Sequence, residues 1–172
     1  MPPVSELELG ETTATEVYAS FGRPSSERII ENRVGTFRIL EFGYAERKFW
    51  EGVVGARLLR LELVDETVNA YVLLNAGTAQ PERSLDLAEE LQRGSTTQKE
   101  VRALLGEPDG RAMAPTAFES VFEAYDFDEN WLYLSFDAEG GISTQSILRL
   151  GFNREGVLQD FGRVTVRENL AP

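Results

Sequence analysis

Residues 10–24 read GETTATEVYASFGRP, and residues 94–108 read GSTTQKEVRALLGEP. One phrase written twice in a chain decides how the rest is parsed. Thr13 with Glu16, and Thr97 with Glu100, have the spacing of a capping box, in which the threonine hydroxyl accepts the N3 amide and the glutamate reaches back to the cap amide. Val17 with Phe21, and Val101 with Leu104 and Leu105, put apolar groups on one helical face. Gly22 and Gly106 supply a left-handed position after the last turn, and Pro24 and Pro108 stop the helix. Each copy predicts a capped helix of about two to three turns with a hard end.

The match runs beyond the quoted phrase. Glu6, Leu7, Gly10, Thr12, Thr13, Glu16, Val17, Ala19, Gly22 and Pro24 all recur in register in the second copy. FRILEF (37–42) then resembles FEAYDF (122–127), and LLRLELVDETV (58–68) resembles ILRLGFNREGV (147–157). Three segments in the same order read as two copies of one supersecondary unit. The boundaries fall at 1–76 for the first repeat, 77–84 for a linker within NAGTAQPERS (75–84), and 85–172 for the second repeat.

Period-two alternation follows each helix. Leu59, Leu61 and Leu63 point one way, as do Leu148, Leu150 and Phe152; the same parity turns Leu132, Leu134 and Phe136 inward and leaves Trp131 and Tyr133 outward. DAEGG (137–141) and NREG (153–156) read as hairpin turns, and SLDLAEELQRG (84–94) as a short amphipathic helix capped by Ser84. The expected fold class is α+β. It comprises two tandem repeats, each of short helices followed by an antiparallel meander of about three or four strands, in two layers.

A chain of 172 residues with 42% apolar content is long enough to bury a real core. No apolar run approaches the roughly 20 residues of a membrane-spanning helix, and MPPVSELELG lacks the basic and apolar regions of a secretory signal. The net charge of −12 repels phosphate backbones and anionic lipid, which argues against nucleic-acid and peripheral membrane binding. With no cysteine and no histidine there is no disulfide, thiolate nucleophile, zinc–thiolate site or Ser-His-Asp triad. The expectation is a protein without catalytic residues and without a cofactor.

The candidate site is acidic and aromatic. Glu119, Glu123, Asp126, Asp128, Glu129, Asp137 and Glu139 are interleaved with Phe118, Phe122, Tyr125, Phe127, Trp131, Tyr133 and Phe136. An outward Trp131 and Tyr133 ringed by carboxylates, with Tyr125 and Glu123 beside them, has the chemistry of a hot spot for a basic protein. The competing reading packs those rings against the other repeat. Arg60 and Arg149 occupy equivalent positions, either as guanidiniums on the binding face or as cross-strand partners of a glutamate such as Glu62 or Glu41. DFDEN (126–130) mimics a calcium loop, but Trp131 stands where the loop needs glycine, so no metal site is expected.

The order Leu91-Gln92-Arg93-Gly94-Ser95-Thr96, then Leu105-Gly106-Glu107-Pro108, then Leu150-Gly151-Phe152-Asn153-Arg154-Glu155-Gly156-Val157 resembles the SmpA/OmlA (BamE-like) domain of bacterial envelope lipoproteins. Two such units in tandem are similar to the β-lactamase inhibitory proteins, whose paired helix-plus-sheet repeats make a concave protein-binding surface. The resemblance implies a non-catalytic binding or scaffold module of the cell envelope, in the periplasm or at the outer-membrane surface. Membrane contact would come only through a lipid anchor. The chain departs from both families in lacking the cysteines of the inhibitors' disulfides and of the lipoprotein anchor. The alternatives are an inhibitor of a secreted enzyme, or a small-ligand carrier or enzyme with a pocket between the repeats.

Overall fold

The computed structural model describes residues 3–48, 52–77, 84–118, 127–139 and 142–169. Its body is a single antiparallel sheet of eight strands in chain order: β1 (Ser26–Asn32), β2 (Gly35–Lys48), β3 (Gly52–Val64), β4 (Thr67–Gly77), β5 (Gly110–Met113), β6 (Glu129–Glu139), β7 (Ile142–Phe152) and β8 (Leu158–Asn169). Helix α1 (Ala14–Phe21) precedes β1, and a 3₁₀ turn (Leu85–Glu90) and helix α2 (Gln98–Leu105) lie between β4 and β5. This corrects the expected α+β tandem of two helix-plus-meander units. The helices are eight residues each, and the sheet runs unbroken across the seam. The join is β5, which pairs with β4 through Ala70↔Ala112, Tyr71↔Arg111 and Val72↔Gly110, and with β6 on its other side. Four residues reading Gly-Arg-Ala-Met are too few for period two to show.

Directly opposed residues in a ladder share a face, so one row of pairs fixes the sheet's two sides. The row Leu40, Leu61, Tyr71, Arg111, Trp131, Leu150, Phe161 crosses from β2 to β8 on the side that α1 and α2 cover. The neighbouring row Glu41, Arg60, Val72, Gly110, Leu132, Arg149, Gly162 faces away from the helices. On the helix side one core cluster gathers Val17, Leu40, Leu59, Leu61 and Tyr71 under α1, and another gathers Val101, Leu105, Trp131, Tyr133 and Phe152 under α2. A third cluster, with Phe37, Ile39, Val72, Phe118 and Leu132, lies on the helix-free side.

Both capping boxes form. Thr13 accepts from the Glu16 amide while Glu16 accepts from the Thr13 amide at 2.8 Å, and Thr97 with Glu100 repeats the pattern at 2.7 Å. The helices end on Gly22 (φ 79°, ψ −149°) and Gly106 (φ 76°, ψ −164°). Their φ is positive as expected, but their ψ departs from the left-handed helix and lies in a region essentially restricted to glycine. Ahead of each helix the chain is latched to a later hairpin. Gly10 N–H donates to Val68 O and Val68 N–H to Thr12 O, as Gly94 does to Leu158 and Leu158 to Thr96. NREG (153–156) closes its hairpin through Gly156, at φ 72°.

Trp131 and Tyr133 require the largest correction of orientation. Both are 0% exposed and point toward α2, whereas Leu132 and Leu134 point to the helix-free side and Phe136 is 52% exposed there. Both parities of this strand are apolar and buried, so alternation alone does not say which face meets the helices. Leu40 and Phe42 pair with Leu61 and Leu59, and Trp131 and Tyr133 pair with Leu150 and Leu148. The strand counterpart of FRILEF is therefore DENWLY (128–133) rather than FEAYDF, most of which lies outside the described residues.

Candidate functional site

Trp131 anchors a buried polar network at the seam. Its ring lies 4.8 Å from Phe152 and under the Arg102 guanidinium at 4.4 Å, with Arg111 at 5.8 Å. Its Nε1–H donates to Glu129 Oε1 at 2.7 Å; Arg111 donates to the same oxygen at 2.6 Å, and Gln98 Nε2 to Oε2 at 2.9 Å. Burial pushes the Glu129 carboxyl up, but the Arg111 charge and the hydrogen bonds from Arg111, Trp131 and Gln98 outweigh it and hold the group below its ordinary value. Nearby Tyr71 is pushed up to about 12, chiefly by burial. This network pins α2 to β5 and β6. Tyr133 is likewise tied inward, its hydroxyl donating to Gly106 O at 3.0 Å. Of the other predicted residues, Tyr125 and Glu123 lie outside the described residues.

Arg60 and Arg149 stand on one row of the helix-free face. Arg60 holds Glu41 at 2.8 Å, the cross-strand partnership weighed from sequence, and Arg28 approaches the same carboxylate at 3.8 Å. Beside them Glu62 is wholly buried. It accepts from Asn69 Nδ2 at 2.8 Å, Thr116 Oγ1 at 2.9 Å and Ala117 N–H at 2.7 Å. Burial is the largest influence and raises its carboxyl above the ordinary range despite those donors. Glu62 thus ties down residues 116–118, with Phe118 pressed into the third core cluster. Toward the other end of Glu62's own row, which runs through Ala70, Ala112 and Asn130, Gly151 leaves room for Phe127, whose ring would lie 2.1 Å from a Cβ at that position.

Beyond that row the face is apolar and open. Leu74 (40% exposed), Phe136 (52%), Val164 (44%) and Val166 (43%) all lie on the helix-free side, continuous with half-buried Leu58, Leu134 and Ile147. Sequence reasoning missed Leu74, Val164 and Val166; the RVTVR alternation at 163–167 carried the signal. Among the described residues this face carries Arg28, Arg60 and Arg149 together with Glu41, Asp160 and the buried Glu62, a mixed set rather than the acidic ring expected. On the helix side a cleft of about 560 Å³ opens between the halves, lined by Val4, Leu73, Leu87, Leu104, Pro108 and Asp109 among others.

The chain matches no family model and no curated protein, so the SmpA/OmlA resemblance finds no support there. Among solved structures it is similar to a protein of Streptococcus mutans provisionally named a beta-lactamase inhibitor protein. The identity is 15% over 93% of this chain and 84% of that one, with a TM-score of 0.48.

Proposed function

We propose that this protein is a non-catalytic binding module that docks another protein on the helix-free face of its sheet. One observation carries the reading: Leu74, Phe136, Val164 and Val166 are exposed together on the face that the helices leave bare. Monomeric soluble proteins seldom leave large contiguous apolar patches in water without an interaction to use them. The described carboxylates with buried settings support a non-catalytic role, because Glu62 and Glu129 are each already held by several donors. Residence in the bacterial envelope follows from the motif resemblance alone, and fractionation of the producing cells addresses it.

A photo-cross-linking residue at position 136 tests the face, with position 103 on exposed α2 as the comparison. The expected result is a discrete adduct from 136, none from 103, and a sharp loss of the 136 adduct in Val164→Asp at unchanged melting temperature. Equal labelling at both positions sinks the reading. The inter-half cleft favours a second reading, a carrier of a small apolar molecule, because its volume is that of an ordinary ligand pocket. Leu87→Trp would fill it, and abolished uptake of a fluorescent apolar dye with the 136 adduct retained would favour that reading.

A further inference from the structure

We infer that β8 is an open docking edge that accepts an extended segment of a partner as a ninth strand, the partner carrying apolar residues on one parity and acidic residues on the other. The inference rests on the protein-binding reading above and names how the partner lies. β8 spans Leu158–Asn169; Leu158 is latched to Gly94 and Thr96 and Phe161 O accepts from Arg93, but from Gly162 onward the strand, among the described residues, pairs with β7 alone and presents its outer backbone donors and acceptors as a template.

The two edges of the sheet are managed differently. β1 is only seven residues long with Pro24 just before it, features that blunt an edge. β8 is nearly twice as long and keeps an unbroken pairing with β7 from Asp160 to Asn169, the register shifting only near its start. Its exposed middle, Arg163-Val164-Thr165-Val166-Arg167, places Val164 and Val166 on the helix-free side. There they continue the strip of Phe136 and Ile147, so an added strand would extend an existing apolar surface. Arg163 and Arg167 lie on the opposite parity. Arg163 also holds Asp86, and Arg167 is exposed.

A second copy of the chain is a poor occupant. Two-fold pairing centred on Thr165 sets Arg163 against Arg167 of the second copy, and pairing centred on Val164 sets Asp160 against Glu168. Centring on Val166 sets Val164 against Glu168. Like charges directly opposite each other, or a charge opposite an apolar group, disfavour all three registers. An antiparallel segment with glutamates opposite Arg163 and Arg167 and valines opposite Val164 and Val166 satisfies both sides at once.

The test uses the whole protein and the capped heptapeptide Val-Glu-Val-Thr-Val-Glu-Val. Hydrogen exchange should show protection of amides within 158–169 and none within 26–32. Affinity should fall at least tenfold for the Val-Lys-Val-Thr-Val-Lys-Val counterpart or in Arg167→Glu, and binding should vanish when the peptide amides are N-methylated. Protection of β1 as much as β8, equal affinity for the lysine peptide, or no protection at all overturns the inference. Concentration-dependent protection of β8 without peptide, with a dimer in sedimentation, assigns the edge to a second copy and also overturns it. If the peptide fails while the adduct from position 136 persists, the edge mode alone falls. If both fail, the docking-face reading falls with it.

Discussion

The seats beneath the two helices share one frame and differ in what fills it. Under α1 the sheet offers Leu40, Leu59 and Leu61, while under α2 the equivalent places hold Trp131, Leu148 and Leu150, with Arg102 and Arg111 over the indole. The capping boxes, terminal glycines and latching hydrogen bonds are the same in both. The difference teaches that the repeated phrase specifies the placing of a helix, and the residues beneath are free to diverge. The largest expected effect breaks that comparison directly. Trp131→Ala should cost about 3–5 kcal/mol in urea unfolding, since it opens a cavity, removes the ring beneath the Arg102 guanidinium and takes one donor from Glu129. Leu40→Ala should fall toward the lower end of its roughly 2–5 kcal/mol range. Equal losses would show that the ionic surroundings of Trp131 add nothing.

The same contrast recurs in two carboxylates. Glu62 is met only by neutral donors, and burial wins, raising its pKa; Glu129 is met by a cation, and its pKa is lowered. Arg111 and Glu129 retain 17% and 19% of their side-chain exposure, so Arg111→Ala should cost about 2–3 kcal/mol, below the roughly 3–5 kcal/mol for breaking a fully buried pair. The pH dependences have opposite signs. Glu129, lowered on folding, contributes stability above the ordinary carboxylate range that is lost as pH falls through its folded value. Glu62, raised on folding, contributes stability below that range that is lost as pH rises through its folded value. Chemical denaturation from pH 3 to 7 should therefore show Glu129→Gln losing most at neutral pH. Glu62→Gln should lose least there, or gain. Parallel profiles for the two variants would refute the assigned roles of charge and burial.

The helix-free side supplies a smaller test. Gly151→Ala should destabilise by about 1–3 kcal/mol, because Phe127 has to leave the place where the new Cβ would sit. Gly43, with nothing within 4 Å of an added Cβ, is the comparison site; Gly43→Ala should change stability far less. Thermal melting of the two variants decides it.

Legibility followed the range of the forces involved. Capping boxes, terminal glycines and the alternation of Leu59, Leu61 and Leu63 are local, so residue order alone displayed them. Which face Trp131 meets was hidden, because Leu132 beside it is also buried and strand parity then has no polar side to read. Leu40 and Phe42, aligned with Trp131 and Tyr133 through their leucine partners, would have corrected the phase. The seam through β5 was hidden for a different reason: it depends on four residues pairing across a long stretch of chain. The network at Glu129 and the anchor at Glu62 are likewise products of contact, invisible until Arg111 and Thr116 arrive beside them.

The smallest effect is the sharpest check on the shared frame. Thr13 and Thr97 each accept an N3 amide at a helix of the same length, and each capping glutamate is held below its ordinary pKa by hydrogen bonds to that threonine. Each helix is also held by backbone donors to its hairpin, Ala14 N–H to Glu66 O and Gln98 N–H to Gly156 O. Because a cap acts on the first turn alone, what lies under the helix should not alter its worth. Thr13→Ala and Thr97→Ala should each cost about 1 kcal/mol, equal within about 0.5 kcal/mol, and the double variant should cost their sum. Unfolding monitored by near-ultraviolet tryptophan signal and by far-ultraviolet circular dichroism measures both, and a loss at Thr97 several times that at Thr13 would mean the Trp131 network depends on the cap of α2, tying frame and filling together.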